Sequence, residues 1–271
     1  MIIGYQGVPG SYSEEALIQL FGENANTKCY KEFEDVFIAL QNDEINYGVL
    51  PIENSTTGSI TQNYDLLKKY GYYITAETSV KIEHNLLALP GANINNIEQV
   101  FSHPQGFEQC SNYLKNLPNI KQIAYHNTAI SAEYVKNQAQ KINSAIASKR
   151  AAQIYGLEVL VPNIQNNKEN WTRFIVVSKN YESTAKSDKL TILFEIPNKI
   201  GSLYQILEKF SKEKINMLKI ESRPVGDGTF SYCFYIDIEG NKEDINIKQA
   251  IKNIGKITKD FKVLGCYKKN V

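Results

Sequence analysis

The segment Asn170-Trp171-Thr172-Arg173-Phe174 sets a hydroxyl and a guanidinium side by side, next to the chain's only tryptophan, where an apolar run begins. Arginine is scarce: Arg150, Arg173 and Arg223 are the only three among 30 basic side chains. Lysine cannot reproduce a planar bidentate fork, so each arginine is a candidate for gripping a carboxylate or for a fixed ion pair. Four more segments gather small polar side chains where a strand gives way to a helix. Gly4-Tyr5-Gln6-Gly7-Val8-Pro9-Gly10-Ser11-Tyr12-Ser13 frees backbone N–H groups that suit an anion. Pro51-Ile52-Glu53-Asn54-Ser55-Thr56-Thr57-Gly58-Ser59 packs five hydroxyl or amide side chains into a corner where capping needs one or two. Ser102-His103-Pro104-Gln105-Gly106-Phe107-Glu108-Gln109-Cys110 has the same form with a proline preset for the first turn, and Asn127-Thr128-Ala129 makes a fourth corner. Together these segments favour a polar substrate site, with hydroxyl and amide donors joined by the guanidinium of Arg173.

The elements that position them alternate. Ile2 to Gln6, Tyr47 to Ile52, Gln99 to Ser102, Ser144 to Ala147 and Phe174 to Ser178 read as buried strands. Ser11 to Phe21, Phe33 to Gln41, Ile60 to Tyr70, Pro104 to Leu114, Ala129 to Asn137 and Ser148 to Tyr155 carry apolar residues at helical spacing. This order predicts parallel sheets covered by helices, with the ligand crevice beyond the carboxyl ends of the strands. A run without apolar periodicity, Tyr181 to Asp188, reads as a linker. Beyond it lie a strand (Lys189 to Ile196), a helix (Ser202 to Glu213), two strands (Met217 to Pro224, Phe230 to Glu239), a helix (Glu243 to Asn253) and a strand (Thr258 to Tyr267). That βαββαβ order is the ferredoxin-like sandwich, with Gly226-Asp227-Gly228 as its hairpin turn.

At 271 residues, 42% hydrophobic and 22% charged, the chain can bury more than one core. A net charge of +1 supplies no field for nucleic acid or an anionic membrane, and no apolar window reaches the ~20 residues of a membrane span. Cys29, Cys110, Cys233 and Cys266 form no CxxC pair and read as reduced core thiols, while His84, His103 and His126 lack ligand spacing, so no metal is expected. With no basic flank and apolar run at the start, the expectation is a cytoplasmic protein.

Leu50-Pro51-Ile52-Glu53-Asn54-Ser55, Ser102-His103-Pro104-Gln105 and Thr172-Arg173-Phe174 resemble the prephenate dehydratase family, whose signature is the threonine-arginine-phenylalanine triplet. The likeness runs the length of the chain. One departure is Ile164-Gln165-Asn166, which offers an amide where the family usually has an acidic residue. The C-terminal part resembles the ACT family of amino-acid sensors through Ile200-Gly201-Ser202-Leu203 and Glu221-Ser222-Arg223-Pro224, with Ile200 and Ser202 where proline and alanine are common.

The resemblance implies an α/β, two-lobed, periplasmic-binding-protein-like catalytic region over residues 1–180, with lobes of roughly 1–78 plus 160–180 and 79–159. A ferredoxin-like ACT regulatory domain over 188–271 follows. It implies cofactor-free loss of carbon dioxide and water from prephenate to give phenylpyruvate, in phenylalanine biosynthesis. Thr172 is then the residue essential for dehydration, and Glu53, Asn54, Ser55, Ser102, Gln109, Thr128 and Arg173 are substrate-pocket positions. Trp171 and Phe174 are expected to pack behind the site, or one of them to face the ring. Thr172 either donates a proton to the leaving hydroxyl or only hydrogen-bonds it, with a buried Glu53 as the rival acid. Phenylalanine is expected as an allosteric effector between paired ACT domains near Gly201, Ser202, Leu203, Asn216, Met217 and Glu221, which makes a homodimer the minimum and a homotetramer the family's suggestion. Two alternatives stay open: an arogenate dehydratase and a non-catalytic two-lobed solute-binding protein. Because Met1 leads directly into the first strand, an added chorismate mutase domain is not expected.

Overall fold

The computed structural model describes residues 1–226, 228 and 231–270. A first lobe opens with β1 (Ile3–Gln6), α1 (Tyr12–Phe21), β2 (Thr27–Tyr30), α2 (Phe33–Gln41), β3 (Tyr47–Asn54), the short β4 (Gly58–Ser59), α3 (Thr61–Tyr70) and β5 (Tyr73–Lys81). The second holds β6 (Asn85–Ala88), β7 (Gln99–Ser102), α4 (Pro104–Gln109), α5 (Ser111–Leu114), β8 (Lys121–Ala124), α6 (Thr128–Gln138), β9 (Asn143–Ala147), α7 (Lys149–Tyr155) and β10 (Glu158–Val161). The chain then returns to the first sheet as β11 (Trp171–Ser178), giving sheet orders β2-β1-β3-β11-β5, with β4 on β3, and β10-β6-β9-β7-β8.

That return corrects the expectation of parallel sheets. β11 re-enters from the cleft, the edge at which β3 ends, so it runs antiparallel to both β3 and β5; β6 is likewise antiparallel to β9 and β10. The consequence is functional, because the first residues of β11 lie against the last of β3: Thr172 pairs with Asn54 and Arg173 with Glu53. Next to that pair the register slips between Arg173 and Phe174, a bulge of the kind that re-aims side chains. The expected helix over 104–114 breaks at Cys110 (φ −112°, ψ 13°) into α4 and α5. β2, β5, β6, β8 and β10 escape sequence reading because they are short or carry polar residues on both faces; β8, for instance, is largely exposed. Exposure also corrects one thiol, since Cys29 on β2 is at the surface whereas Cys110, Cys233 and Cys266 are buried.

A third sheet follows residues 179–188, with β12 (Lys189–Glu195), α8 (Ser202–Lys212), β13 (Met217–Pro224), β14 (Tyr232–Glu239), α9 (Ile245–Gly255) and β15 (Lys259–Tyr267) in the order β13-β14-β12-β15. Within the expected turn Gly226-Asp227-Gly228, Asp227 lies outside the described residues, as does Phe230, where the third strand was expected to begin. Alternation sorts this sheet into two faces. Leu190, Ile192, Phe194, Ile236 and Ile238 meet Ile206 and Phe210 of α8 and Ile247, Ala250 and Ile254 of α9. The opposite face sends Leu193, Tyr235, Leu264 and Tyr267 into the core of the first lobe, among Leu66, Leu67, Ile74 and Ile175. Close approach there needs Gly265, since a Cβ on it would stand 2.1 Å from the Ile74 carbonyl oxygen. At ~25 cal/mol per Å2 of apolar surface, such a shared core holds the C-terminal sheet firmly on the first lobe.

Candidate active site

Between the two lobes lies a hollow of about 260 Å3, near the lower bound for small-molecule sites. Its walls come from the corner after β1 (Gln6, Gly7, Ser11, Tyr12, Ser13), the end of β3 and its turn (Pro51, Asn54, Thr57, Ile60), the lobe crossing (Ile82, His84), the start of α4 (His103, Gln105, Gly106, Gln109), the start of α6 (Asn127, Thr128) and β11 (Thr172, Phe174). No Asp, Glu, Lys or Arg is among these described residues. Three helices start at the wall, capped by Ser11, His103 and Asn127, so backbone N–H groups carry the positive potential there. Gly106 lets α4 begin tight against β7, as a Cβ would lie 2.5 Å from Ser102 Oγ.

At the centre, Asn54 Nδ2 donates to Thr172 Oγ1 at 2.9 Å and to Asn170 Oδ1 at 2.8 Å. Asn54 Oδ1 accepts the N–H groups of Thr56 and Thr57, both at 3.0 Å, which fixes the amide's orientation. Thr172 therefore accepts from Asn54 and keeps its own proton free to donate into the hollow. Opposite, His84 bridges the lobes. Its Nε2 meets Gln109 Oε1 at 2.8 Å, its Nδ1 meets the Tyr12 hydroxyl at 3.3 Å, and Tyr12 donates to the Glu83 carbonyl at 2.8 Å. Burial pushes the His84 pKa below 6.5, against the opposing pull of the Gln109 bond, so the imidazole is neutral at pH 7. The lobes also meet where Gln105 Nε2 donates to Thr57 Oγ1 at 3.1 Å.

Asn54, Gln109, Thr128, Thr172 and Phe174 thus share the hollow, and four other expected positions do not. Successive strand residues face opposite ways, so Glu53 and Arg173 point through the sheet to its far side. There Arg173 Nη1 lies 2.7 Å from Asp237 and 3.1 Å from Glu77, Nη2 lies 3.2 Å from Glu53, and Lys219 reaches Glu53 at 2.7 Å. Neither a substrate fork at Arg173 nor an acid at Glu53 faces the hollow. Ser102 is fully buried behind α4, donating to the Ile146 carbonyl at 3.1 Å, and Ser55 ties β3 to β11 by accepting the Trp171 N–H at 2.9 Å. Trp171 does not pack behind the site either; it is 40% exposed with Lys81 near its ring. His84 is a lining residue that stands in none of the polar corners the sequence singles out; nothing in its spacing links it to Tyr12 or Gln109, and only the fold brings them together.

Comparison with known proteins fits this layout. The sequence profile described as "Prephenate dehydratase" matches residues 3–182. The chain belongs to the prephenate dehydratase family. A second profile, "ACT domain", matches residues 190–256 of this family member. Among its relatives is "Arogenate dehydratase/prephenate dehydratase 1, chloroplastic" of Arabidopsis thaliana, 38% identical over 98% of this chain and 71% of that protein. Among solved structures, prephenate dehydratase of Arthrobacter aurescens in complex with L-Phe superposes with a TM-score of 0.90 at 28% identity, covering 99% of this chain and 90% of that one. A protein described as GqqA, a novel type of quorum quenching acylase, has the same TM-score of 0.90 and identity of 28%, covering 99% and 98%.

In the ACT domain of this dehydratase-family chain, Gly201, Ser202 and Leu203 line a groove of about 400 Å3 with Ile196, Tyr204, Tyr232 and Phe234. Asn216, Met217 and Glu221 lie outside it. Asn216 bonds Glu239 at 2.9 Å, Met217 opens the edge strand β13, and Glu221 bonds Ser59 of the first lobe. A single chain therefore does not assemble the six expected effector positions.

Proposed function

We propose that this protein is a prephenate dehydratase inhibited by phenylalanine, with its catalytic unit over residues 1–180 and its regulatory unit over 188–271. The observation that carries the substrate assignment is the wall of helix starts, amides and hydroxyls without a charged side chain. Prephenate presents two carboxylates and a ring hydroxyl. The electron pair of the bond to the ring carboxylate moves into the ring as carbon dioxide leaves, the C–O bond breaks opposite it, and the departing oxygen takes up a proton and leaves as water. Aromatisation drives the step. A lysine or arginine against the ring carboxylate would stabilise the ground state that must be lost, so neutral donors orient the dianion without opposing decarboxylation.

Thr172 is the donor to the leaving oxygen. Asn54 holds it from one side and, among the described residues, no base lies against it, so it stabilises the developing charge by hydrogen bonding while solvent supplies the proton. Gln109, Thr128 and Asn127 face the carboxylates, and Phe174 packs against the ring. The wall also favours a keto acid over arogenate, whose ammonium would find no carboxylate among the described lining residues. Acyl hydrolysis has less support: among the described residues the only hydroxyl bonded to His84 is that of Tyr12, and His103 Nδ1 is occupied by the Gln105 N–H at 3.2 Å.

Phenylalanine binding at Gly201, Ser202 and Leu203, completed by Asn216, Met217 and Glu221 of a second copy, is part of the proposal, as are a homodimer or homotetramer and a cytoplasmic location. Exposed Ile200, Tyr204, Ile220 and Tyr232 around the groove and along edge strand β13 support self-association. The test follows phenylpyruvate absorbance from prephenate and from arogenate, with and without phenylalanine, alongside mass in solution. Turnover of neither substrate sinks the enzyme reading, and faster turnover of arogenate reverses the substrate.

A further inference from the structure

The far side of the catalytic strand pair carries charges that the reaction does not use. Arg173, Glu77, Lys189 and Asp237 form a buried cluster, their side chains 16%, 3%, 6% and 7% exposed. Lys189 lies 2.7 Å from Glu77 and 3.3 Å from Asp237, and Asp237 also accepts from Thr191 at 2.7 Å. Arg173 and Glu77 belong to the first lobe, Asp237 and Lys189 to the C-terminal sheet. At the rim the pattern repeats, with Lys219 of β13 on Glu53 at 2.7 Å and on Ser59 at 2.9 Å. The bonds that cross between the two units, Arg173 to Asp237, Lys189 to Glu77 and Lys219 to Glu53 and Ser59, all end on β3, β4, β5 or β11, and two of the residues gripped are the immediate neighbours of Asn54 and Thr172.

The β3 to β11 ladder is interrupted at the bulge beside Arg173, while on its other edge β11 keeps an unbroken register with β5 there. The seating of β3 against β11 at that point therefore draws on the side chains behind the pair. We infer that Arg173 and Glu53 are positioning residues: clamped by Asp237 and Lys219 of the ACT sheet, they aim Thr172 and Asn54 from behind. The ACT domain is therefore part of the scaffold of the catalytic site, and a shift of its sheet reaches Thr172 without passing through the cleft. This rests on the reading of Thr172 as the leaving-group donor.

The test is a cycle in the full-length chain. Asp237→Asn removes the charge facing Arg173 while keeping the shape and a hydrogen bond. With Thr172 present, kcat falls roughly ten-fold while KM stays within about two-fold, since small misplacement of a reacting group costs rate and not affinity. In a Thr172→Ala background the same change costs less than about two-fold, because the group it aims is gone. Equal penalties in both backgrounds, or no penalty in either, overturn the inference. Should Asp237→Asn not fold, Lys219→Met at the rim gives the same readout, a roughly three-fold fall that vanishes without Thr172. Near-normal turnover of Thr172→Ala alone removes the donor assignment and the inference with it, an outcome distinct from equal penalties.

Discussion

Asn54 and Thr172 sit one residue away from Glu53 and Arg173, on the same two strands, and the two pairs meet opposite surroundings. The first pair faces a hollow walled by amides, hydroxyls and helix starts. The second faces a cluster of buried ions shared with the C-terminal sheet. The candidate site and the assembly contacts are thus separated by the thickness of one sheet. All three arginines fall on the assembly side: Arg150 joins the lobes through Glu14 at 2.8 Å, Arg173 joins the first lobe to Asp237, and Arg223 makes a two-toothed bond to Asp65 of α3 at 2.9 and 2.7 Å. In a lysine-rich chain, the planar fork is reserved for joints between units.

This contrast is broken if front-face changes cost stability or back-face changes cost only rate. The largest expected effect is on the back: Arg173→Met leaves Glu77 and Asp237 short of a partner and lowers unfolding free energy by about 3–5 kcal/mol in urea titration. Next, Thr172→Ala on the front lowers kcat by about 10²- to 10³-fold, while the unfolding free energy stays within about 1 kcal/mol, because Asn54 keeps its bond to Asn170. A smaller front-face effect comes from His84→Gln, which removes the bridge between Tyr12 and Gln109; steady-state kinetics should show KM rising about five-fold, the worth of one net hydrogen bond.

Two pH effects sharpen the comparison. Burial alone raises the Asp237 pKa, but Arg173 and Lys189 outweigh it and hold the carboxyl below its ordinary 3.8. The folded value is depressed, so this stability is present above that value and is lost as pH falls through the folded one. Wild type should therefore lose melting temperature on acidification below about pH 4 more steeply than Asp237→Asn. The second pH effect is expected at Glu15 on α1, where burial raises the pKa to about 7 against the pull of Ser148 and Arg150. Here the folded value exceeds the unfolded one, so stability falls as pH rises from about 4.5 towards 7. Glu15→Gln should then melt higher than wild type at pH 8 and no higher at pH 4, as thermal scans would register.

Local pattern carried much of this protein. Short apolar runs located β1, β3, β7 and β9, the order of strands and helices gave the βαββαβ unit, helical spacing and caps located α1, α2, α3 and α6, and motif order pointed to the family, because all of these depend on near neighbours in sequence. Asn54, Gln109, Thr128 and Thr172 were legible as pocket positions through the family resemblance, which local motifs carry. What sequence could not decide was the direction of a side chain relative to a distant one. Adjacent residues in a strand must face opposite ways, yet which of Thr172 and Arg173 meets the cleft depends on where β11 re-enters the sheet and on which side the C-terminal sheet docks. His84 entered the site in the same manner, through a lobe crossing that no local period records. Tertiary packing alone chose which side chains of the signature triplet line the hollow and which hold the units together.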